Sequence, residues 1–408
     1  LVAEEFRAAS KPSPTIVLEP VARNTAPAIG AAAFLLAKTN PELIMAVLPS
    51  DHVIADKMAF HQAIDRAAQA AQHGHLTTFG MNPLRPEMGY GYIQAGHTVS
   101  NLEGVSTIAQ FVEKPDLKTA QHYVDEGSYY WNSGMFVFRA CDFLDELQHH
   151  APDVWRQSRK AVDLLVEEGG FLTLDRTEFE AAPAISVDYA VMEKTDHAVV
   201  VPSNFGWSDV GSWRSLLEIG IKDSQGNVTL GDVALHGSKN SYVRSDTQLV
   251  TAIGIEDMVV VATDDAILIA PTSHDQDVRI AVDALKQLGR SEAVAHSQVF
   301  RPWGSYLNLH ASDGVLVKKI IVNPGAKLSL QYHHHRAEHW VVVDGTARVT
   351  NGENIIDLTT DQSTYIPQGV VHRVENTGTE PLRIIETQIG KTLSEEDIVR
   401  VEDDFGRA

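Results

Sequence analysis

The sequence predicts three architectures in series: an α/β domain around a mostly parallel, Rossmann-like mixed sheet, a short β-rich extension, and an all-β barrel reached through a helical linker. Three observations carry this expectation. Over residues 1–225, helical stretches such as NTAPAIGAAAFLLAKT (24–39) alternate with short apolar runs such as LIMAVLPSD (43–51) and NSGMFVFRA (132–140), the pattern of strands joined by helical crossovers. Residues 226–273 are short β segments separated by turns, with no helical period, and read as a β-solenoid or a meander. Residues 299–408 are β throughout, broken by the turn signals NPG, DG, NG, PQG and NTG, which predicts a small barrel. Between them, HDQDVRIAVDALKQLGRSEAVAH (274–296) has helical periodicity and predicts a linker spanning 274–298.

Composition bounds the function. The 408 residues carry 33 Lys and Arg against 54 Asp and Glu, a net charge of −21. Such a chain is a poor partner for nucleic acid or an anionic membrane, which need clustered cations, whereas a few local Arg and Lys suffice for a small anionic substrate. The single Cys141 excludes an intramolecular disulfide framework and a thiolate zinc cluster, so a reducing cytoplasm is the expected compartment. No apolar run reaches the roughly 18 residues of a membrane span.

The barrel segment holds the densest chemistry, in PGAKLSLQYHHHRAEHWVVVDGTARV (324–349). Gly325 is followed after five residues by Gln331, then after one by His333, after four by Glu338 and after six by Gly345. Pro367 is followed after one residue by Gly369, after two by His372 and after three by Asn376. These spacings resemble the two signature motifs of the cupin barrel, with Gln331 where a first His usually stands and Asp361 where the second motif usually opens on Gly. Residues 331 and 333 share a strand face because side chains alternate. Glu338 has the opposite parity, so a turn at Arg336 and Ala337 is expected to re-aim the next strand. Gln331, His333, Glu338 and His372 then form a mixed N/O set suited to zinc or another divalent ion. A lone strand histidine is more often structural; the joint spacing argues for a metal.

The wider stretches LSLQYHHHRAEHWVVVDGTARV and YIPQGVVHRVEN resemble the type II phosphomannose isomerases. EPVARNTAPAIGAAA, LPSDH, EMGYGYIQ, FVEKPD, WNSGMFVF, SVDYAVMEK and GWSDVGSW resemble their usual fusion partner, mannose-1-phosphate guanylyltransferase. The resemblance covers nearly the whole chain and implies a bifunctional enzyme of GDP-mannose supply. Its substrates would be GTP and mannose 1-phosphate at the first domain, and mannose 6-phosphate and fructose 6-phosphate at the second; homo-oligomer formation stays open.

The resemblance also implies roles. Asp51 and Asp209 would hold Mg2+ between the phosphates, although each is also explicable as a helix cap or surface carboxylate. Lys114 would take the sugar phosphate, and Glu113, Gly91 and Asn132 the sugar, the Gly because backbone must come close to the ligand. Arg23, Asn24 and Thr25 would lie near the nucleotide, with helix N-capping the competing role of Asn24 or Thr25. In the barrel, Lys327, Arg336 and Arg373 are candidates for the substrate phosphate, Arg336 first. His335 or His334 is the candidate base, a strand role being equally open for His334. Transferases of this family open with a strand and a Gly-rich loop that cradles the triphosphate. No such segment precedes LVAEEFRAAS, so an N-terminally incomplete and impaired guanylyltransferase is expected. The alternative is a transferase, of GTP or another nucleotide, whose cupin is a non-catalytic sugar-binding or regulatory module.

Overall fold

The computed structural model describes residues 11–402 apart from 169 and 295–297, together with residues 2, 5, 6 and 9. The chain divides into two compact units, Leu1–Gly211 and Ser212–Ala408. Among the described residues, no helix is long and apolar enough to cross a membrane.

The first unit is built on a six-stranded sheet whose order runs Ile44–Val47, Tyr129–Arg139, Leu76–Met81, Ala198–Ser203, Ser106–Glu113, Gly91–Thr98. The expected mostly parallel sheet is corrected here. Only Leu76–Met81 and Ala198–Ser203 pair in parallel, and the other pairings are antiparallel. Helical segments alternate with strands whether or not successive strands run the same way, so alternation does not report direction. Strand Tyr129–Arg139 shows why both faces are covered. Met135 and Val137 pack on one side with Ala63, Ala67, Ala70 and Ala71 of helix Lys57–Gln72. Phe136 and Phe138 pack on the other with Ala26, Ile29 and Ala33 of helix Thr25–Thr39 and with Phe143 and Leu147 of helix Ala140–His150. Period-two alternation of apolar side chains thus feeds two cores from one strand.

In the second unit, helix Trp213–Ile219 lays Trp213, Leu216 and Leu217 on Val228, Tyr242, Val259 and Val261. Strands Val228–Leu230, Tyr242–Ser245 and Met258–Ala262 stack in parallel, as do Val233–His236 and Val250–Ile253. The extension is therefore a solenoid rather than a meander, closed by the antiparallel strand Ile267–Pro271. The linker is less helical than its periodicity suggests: helix Val278–Gln287 lies between the 3-10 turns Thr272–Asp277 and Ser291–Ala293.

The barrel consists of a six-stranded and a five-stranded antiparallel sheet enclosing one core. Its inward side chains change character along the strands. Leu382 and Ile384 are followed by Glu386 and Gln388, Val342 and Trp340 are preceded by Glu338 and Arg336, and Val322 and Ile320 by Lys318, all of them buried. Cross-strand register aligns Ile384 with Ile320 and Val342, and Glu386 with Lys318 and Trp340. One end of the interior is consequently apolar and structural, and the other is polar and open to chemistry.

Candidate functional sites

The first unit holds a cleft of about 400 Å³ lined by Thr25, His52, Tyr90, Gly91, Glu113, Lys114, Asn132, Asp188, Trp207 and Asp209 among others. Lys114 has φ 50°, an unfavourable conformation for a residue with a Cβ, which turns its chain out of strand Ser106–Glu113. Its Nζ lies 3.6 Å from Glu113 Oε1. Burial pushes the Glu113 carboxyl up to about 7, aided by the Asp188 charge and opposed by Lys114. A Cβ on Gly91 would stand 2.5 Å from Glu113 Oε2 and 3.2 Å from Asn132 Cβ, so the Gly leaves these two side chains where they are and a larger residue would shift Glu113. Asn132 is fixed at both ends: its Oδ1 accepts from Thr78 Oγ1 at 2.8 Å and its Nδ2 donates to Asp188 at 2.8 Å.

Asp209 stands across the cleft, where its Oδ1 accepts from Tyr90 Oη at 2.6 Å and from the Gly211 amide at 3.0 Å. Burial and the Asp209 carboxylate push the Tyr90 phenol far up, so it remains a donor. Asp51 is exposed and does not line the cleft, but its charge and that of Asp209 both act on His52. Burial outweighs them and lowers the His52 pKa, and Trp207 Nε1 donates to His52 Nδ1 at 3.1 Å. At the helix start Asn24, at φ 65°, caps through Oδ1 to the Thr25 amide, while Thr25 Oγ1 accepts from the Val187 amide at 2.9 Å. Arg23 donates to the Glu180 carbonyl and does not line the cleft. Sequence reasoning does not single out His52, Tyr90, Asp188 or Trp207, although all four lie inside the motifs quoted above.

In the barrel, His333, Glu338 and His372 are 2, 1 and 1% exposed, and their ligand atoms lie within 4.8 Å of one another. Glu338 Oε1 is 2.9 Å from His333 Nε2 and accepts from Arg336 Nε at 3.2 Å. Trp340 Nε1 donates to Glu338 Oε2 at 3.2 Å and to Glu386 Oε1 at 3.0 Å. Burial pushes the Glu338 carboxyl up, but the two imidazoles together hold it well below the usual carboxylate range. Burial and the Glu338 charge push Glu386 up to about 8. His372 Nε2 is buried without a hydrogen bond, and an orphaned imidazole nitrogen facing a carboxylate and a second imidazole is a donor set that a divalent ion fits. Gln331 pairs in register with His372 and accepts from Ser329 Oγ at 2.8 Å.

Gln331 and Arg336 also line a neighbouring cavity with Arg301, Tyr306, Lys318, Glu386, Gln388, Glu395 and Arg400. The other barrel candidates are placed elsewhere. The re-aiming turn falls at His334 and His335, not at Arg336 and Ala337, and Arg336 opens strand Arg336–Asp344 with its side chain inward. His334 and His335 are exposed on that turn, whose amides donate to the Asp397 carboxylate at 3.1 Å each. Arg373 has the opposite parity to His372 and pairs with Glu402; neither it nor Lys327 lines the cavity. Asp361 has φ 70°, so it occupies a Gly-favouring conformation where the motif usually has Gly. Sequence reasoning misses Lys318, Glu386, Gln388 and Arg400, whose signal is a polar residue on the inward parity of an otherwise apolar strand.

An α/β nucleotidyltransferase domain followed by a β-solenoid and a cupin barrel defines a class of two-headed sugar-phosphate enzymes. Family models match in that order: nucleotidyl transferase over residues 1–226, MannoseP isomerase/GMP-like beta-helix domain over 231–285, and mannose-6-phosphate isomerase C-terminal over 288–403. The chain is 51% identical over 397 residues to the xanthan biosynthesis protein XanB of Xanthomonas campestris pv. campestris, covering 97% of this chain and 84% of that one. It is 49% identical over 411 residues to the mannose-1-phosphate guanylyltransferase of Escherichia coli, covering 100% and 86%. A crystal structure described as mannose-1-phosphate geranyltransferase from Thermus thermophilus superposes with a TM-score of 0.59 at 31% identity, over 66% of this chain and 77% of that one. The chain belongs to the family of bifunctional mannose-1-phosphate guanylyltransferases and mannose-6-phosphate isomerases.

Proposed function

We propose that the chain serves GDP-mannose formation at two sites: guanylyl transfer from GTP to mannose 1-phosphate in the first unit, and interconversion of mannose 6-phosphate and fructose 6-phosphate in the barrel. In the first reaction an oxygen of the sugar phosphate attacks the α-phosphorus and pyrophosphate leaves, so the protein's task is alignment and charge neutralisation. Lys114 would hold the sugar phosphate, while Glu113 and Asn132 accept and donate to sugar hydroxyls across the space that Gly91 keeps open. Asp209, oriented by Tyr90, and Asp51 would hold Mg2+, whose oxygen-ligand preference both carboxylates meet. Thr25 would border the nucleotide; Asn24 shapes the helix start, and Arg23 supports the same segment.

In the second reaction a proton leaves C2 of the open-chain aldose, an ene-diolate forms, and C1 is reprotonated, with the reverse path from the ketose. A zinc or similar ion held by His333, Glu338, His372 and Gln331 would supply Lewis acidity to the oxygens at C1 and C2. Arg336, bonded to Glu338 and to the Ser394 carbonyl at 2.9 Å, would keep that carboxylate aimed. The single observation that supports the barrel reading best is the buried His372 Nε2, which has no hydrogen bond and lies 3.5 Å from Glu338 Oε2. A His372→Ala variant is expected to lose bound metal and isomerase turnover together, and a chelator to silence the parent until a divalent ion is restored. Stoichiometric metal with full turnover in His372→Ala would remove the ligand assignment.

A further inference from the structure

Four cations line the barrel cavity: Arg301, Lys318, Arg336 and Arg400. Two have protein partners that use their charge. Arg336 bonds Glu338 and lies 3.8 Å from Asp397, and Arg301 lies 3.3 Å from Glu395. The other two are not tied down in this way, although the Lys318 charge still acts on Glu386 and Glu395 from a distance. Among the described residues, Lys318 and Arg400 make no ion pair and no side-chain hydrogen bond, and Arg400 Nε is buried without a partner. Lys318 is only 9% exposed. Its ammonium lies over the Tyr306 ring, with Nζ 4.6 Å from the centroid, a contact that leaves its N–H donors without an oxygen or nitrogen acceptor.

A buried ammonium without an acceptor is expensive. It also sits in a chain with net charge −21, where carboxylates are plentiful and a structural lysine would readily have found one. Lys318 is the cross-strand partner of Glu386, whose oxygens accept from Trp340 Nε1 at 3.0 Å and Gln388 Nε2 at 3.0 Å rather than from the ammonium. Arg400 pairs in register with Gln331, in the five-stranded sheet that also carries His333 and His372, whereas Lys318 belongs to the six-stranded sheet. Two positive groups without a direct acceptor in one cavity match the two negative charges of a phosphate monoester.

We propose that Lys318 and Arg400 are the receptor for the phosphate of the isomerase substrate, in place of Lys327 and Arg373, which do not line the cavity. The proposal rests on the isomerase reading above. The ammonium would supply a point charge and the guanidinium a planar pair of donors. Neither needs to touch the reacting carbons.

The test compares the parent with Lys318→Met, which keeps an unbranched apolar side chain, Lys318→Arg, and Arg400→Gln. The readouts are KM and kcat for mannose 6-phosphate, competitive inhibition by inorganic phosphate, and metal content. Loss of one charged hydrogen-bond donor predicts a rise of roughly 10- to 100-fold in both KM and the phosphate inhibition constant for Lys318→Met and Arg400→Gln. Metal content and kcat should stay within about threefold of the parent, and Lys318→Arg should recover part of the loss. Unchanged phosphate inhibition in both variants overturns the proposal, as does a fall in kcat alone, which would place Lys318 at the reacting carbons. A parent without isomerase activity would instead sink the isomerase reading. Calorimetric titration of parent and Lys318→Met with inorganic phosphate would then decide the receptor by itself, equal affinities refuting it.

Discussion

Replacing Gly91 by Ala tests the sugar site of the first unit with the smallest possible change. The added Cβ would sit 2.5 Å from Glu113 Oε2 and 3.2 Å from Asn132 Cβ, so Glu113 must withdraw by about 0.5 Å or more to reach a tolerable contact. Withdrawal is constrained, because the Glu113 amide donates to Glu193 Oε1 at 3.0 Å and its carboxylate faces Lys114 at 3.6 Å. Asn132 cannot give way easily either, being bonded to Thr78 and Asp188. The stability cost should be near the low end of the roughly 1–3 kcal/mol of overpacking, since the displaced atom ends a side chain. The functional cost should be larger: displacing a positioning group by a fraction of an ångström predicts about a 10- to 100-fold rise in KM for mannose 1-phosphate. Steady-state pyrophosphate release reads this directly, and the mannose 1-phosphate concentration that half-saturates a thermal shift reads binding without turnover. Isomerization should be unaffected and serves as the internal control. A Gly91→Ala protein whose KM and half-saturating concentration both stay within about twofold of the parent would show that the Glu113–Asn132 spacing does not position the sugar.

Lys114→Ala should cripple guanylyl transfer and leave isomerization nearly intact, because substitutions in separately cored domains couple weakly; parallel loss of both activities in a folded protein would refute independent sites. Glu113 predicts a pH effect of defined sign. Its carboxyl is raised from 4.5 to about 7 in the fold, so the native state holds the proton more tightly and stability falls as pH rises from about 4.5 to about 7, then levels. The upper bound is about 3 kcal/mol, reduced by water in the open cleft. Denaturant melts across this window should show that slope in the parent and lose it in Glu113→Gln, and equal slopes would disprove the assignment. At Asp361, whose φ is 70°, Asp361→Gly should relieve left-handed backbone strain and stabilise the barrel by about 0.5–1 kcal/mol, whereas a lower melting temperature would show that the Asp side chain compensates.

Much of this protein could be read from its linear pattern, because local spacing sets element type and side-chain parity. The motif spacings singled out Gln331, His333, Glu338 and His372, and the fold brings the last three within 4.8 Å. FVEKPD, EMGYGYIQ and WNSGMFVF likewise marked Lys114, Glu113, Gly91 and Asn132, which meet in one cleft. What the sequence could not supply was direction and depth. Strand direction in the first sheet depends on hydrogen-bond pairing between segments far apart in the chain, which no local period encodes. Whether a polar residue on an inward parity lies at the core end or the open end of the barrel depends on register. Lys318 meets Glu386 only because strand Val315–Val322 pairs with Leu382–Gly390 in one alignment, and a shift of one residue would turn Lys319 inward instead. The histidine run shows the same division. The joint spacing of the two motifs, not the run itself, argued for a metal, and the turn at His334 and His335 delivers only His333 to the interior and leaves the other two exposed. Periodicity determined what each segment could be, and tertiary pairing between distant segments decided which of its side chains share a cavity.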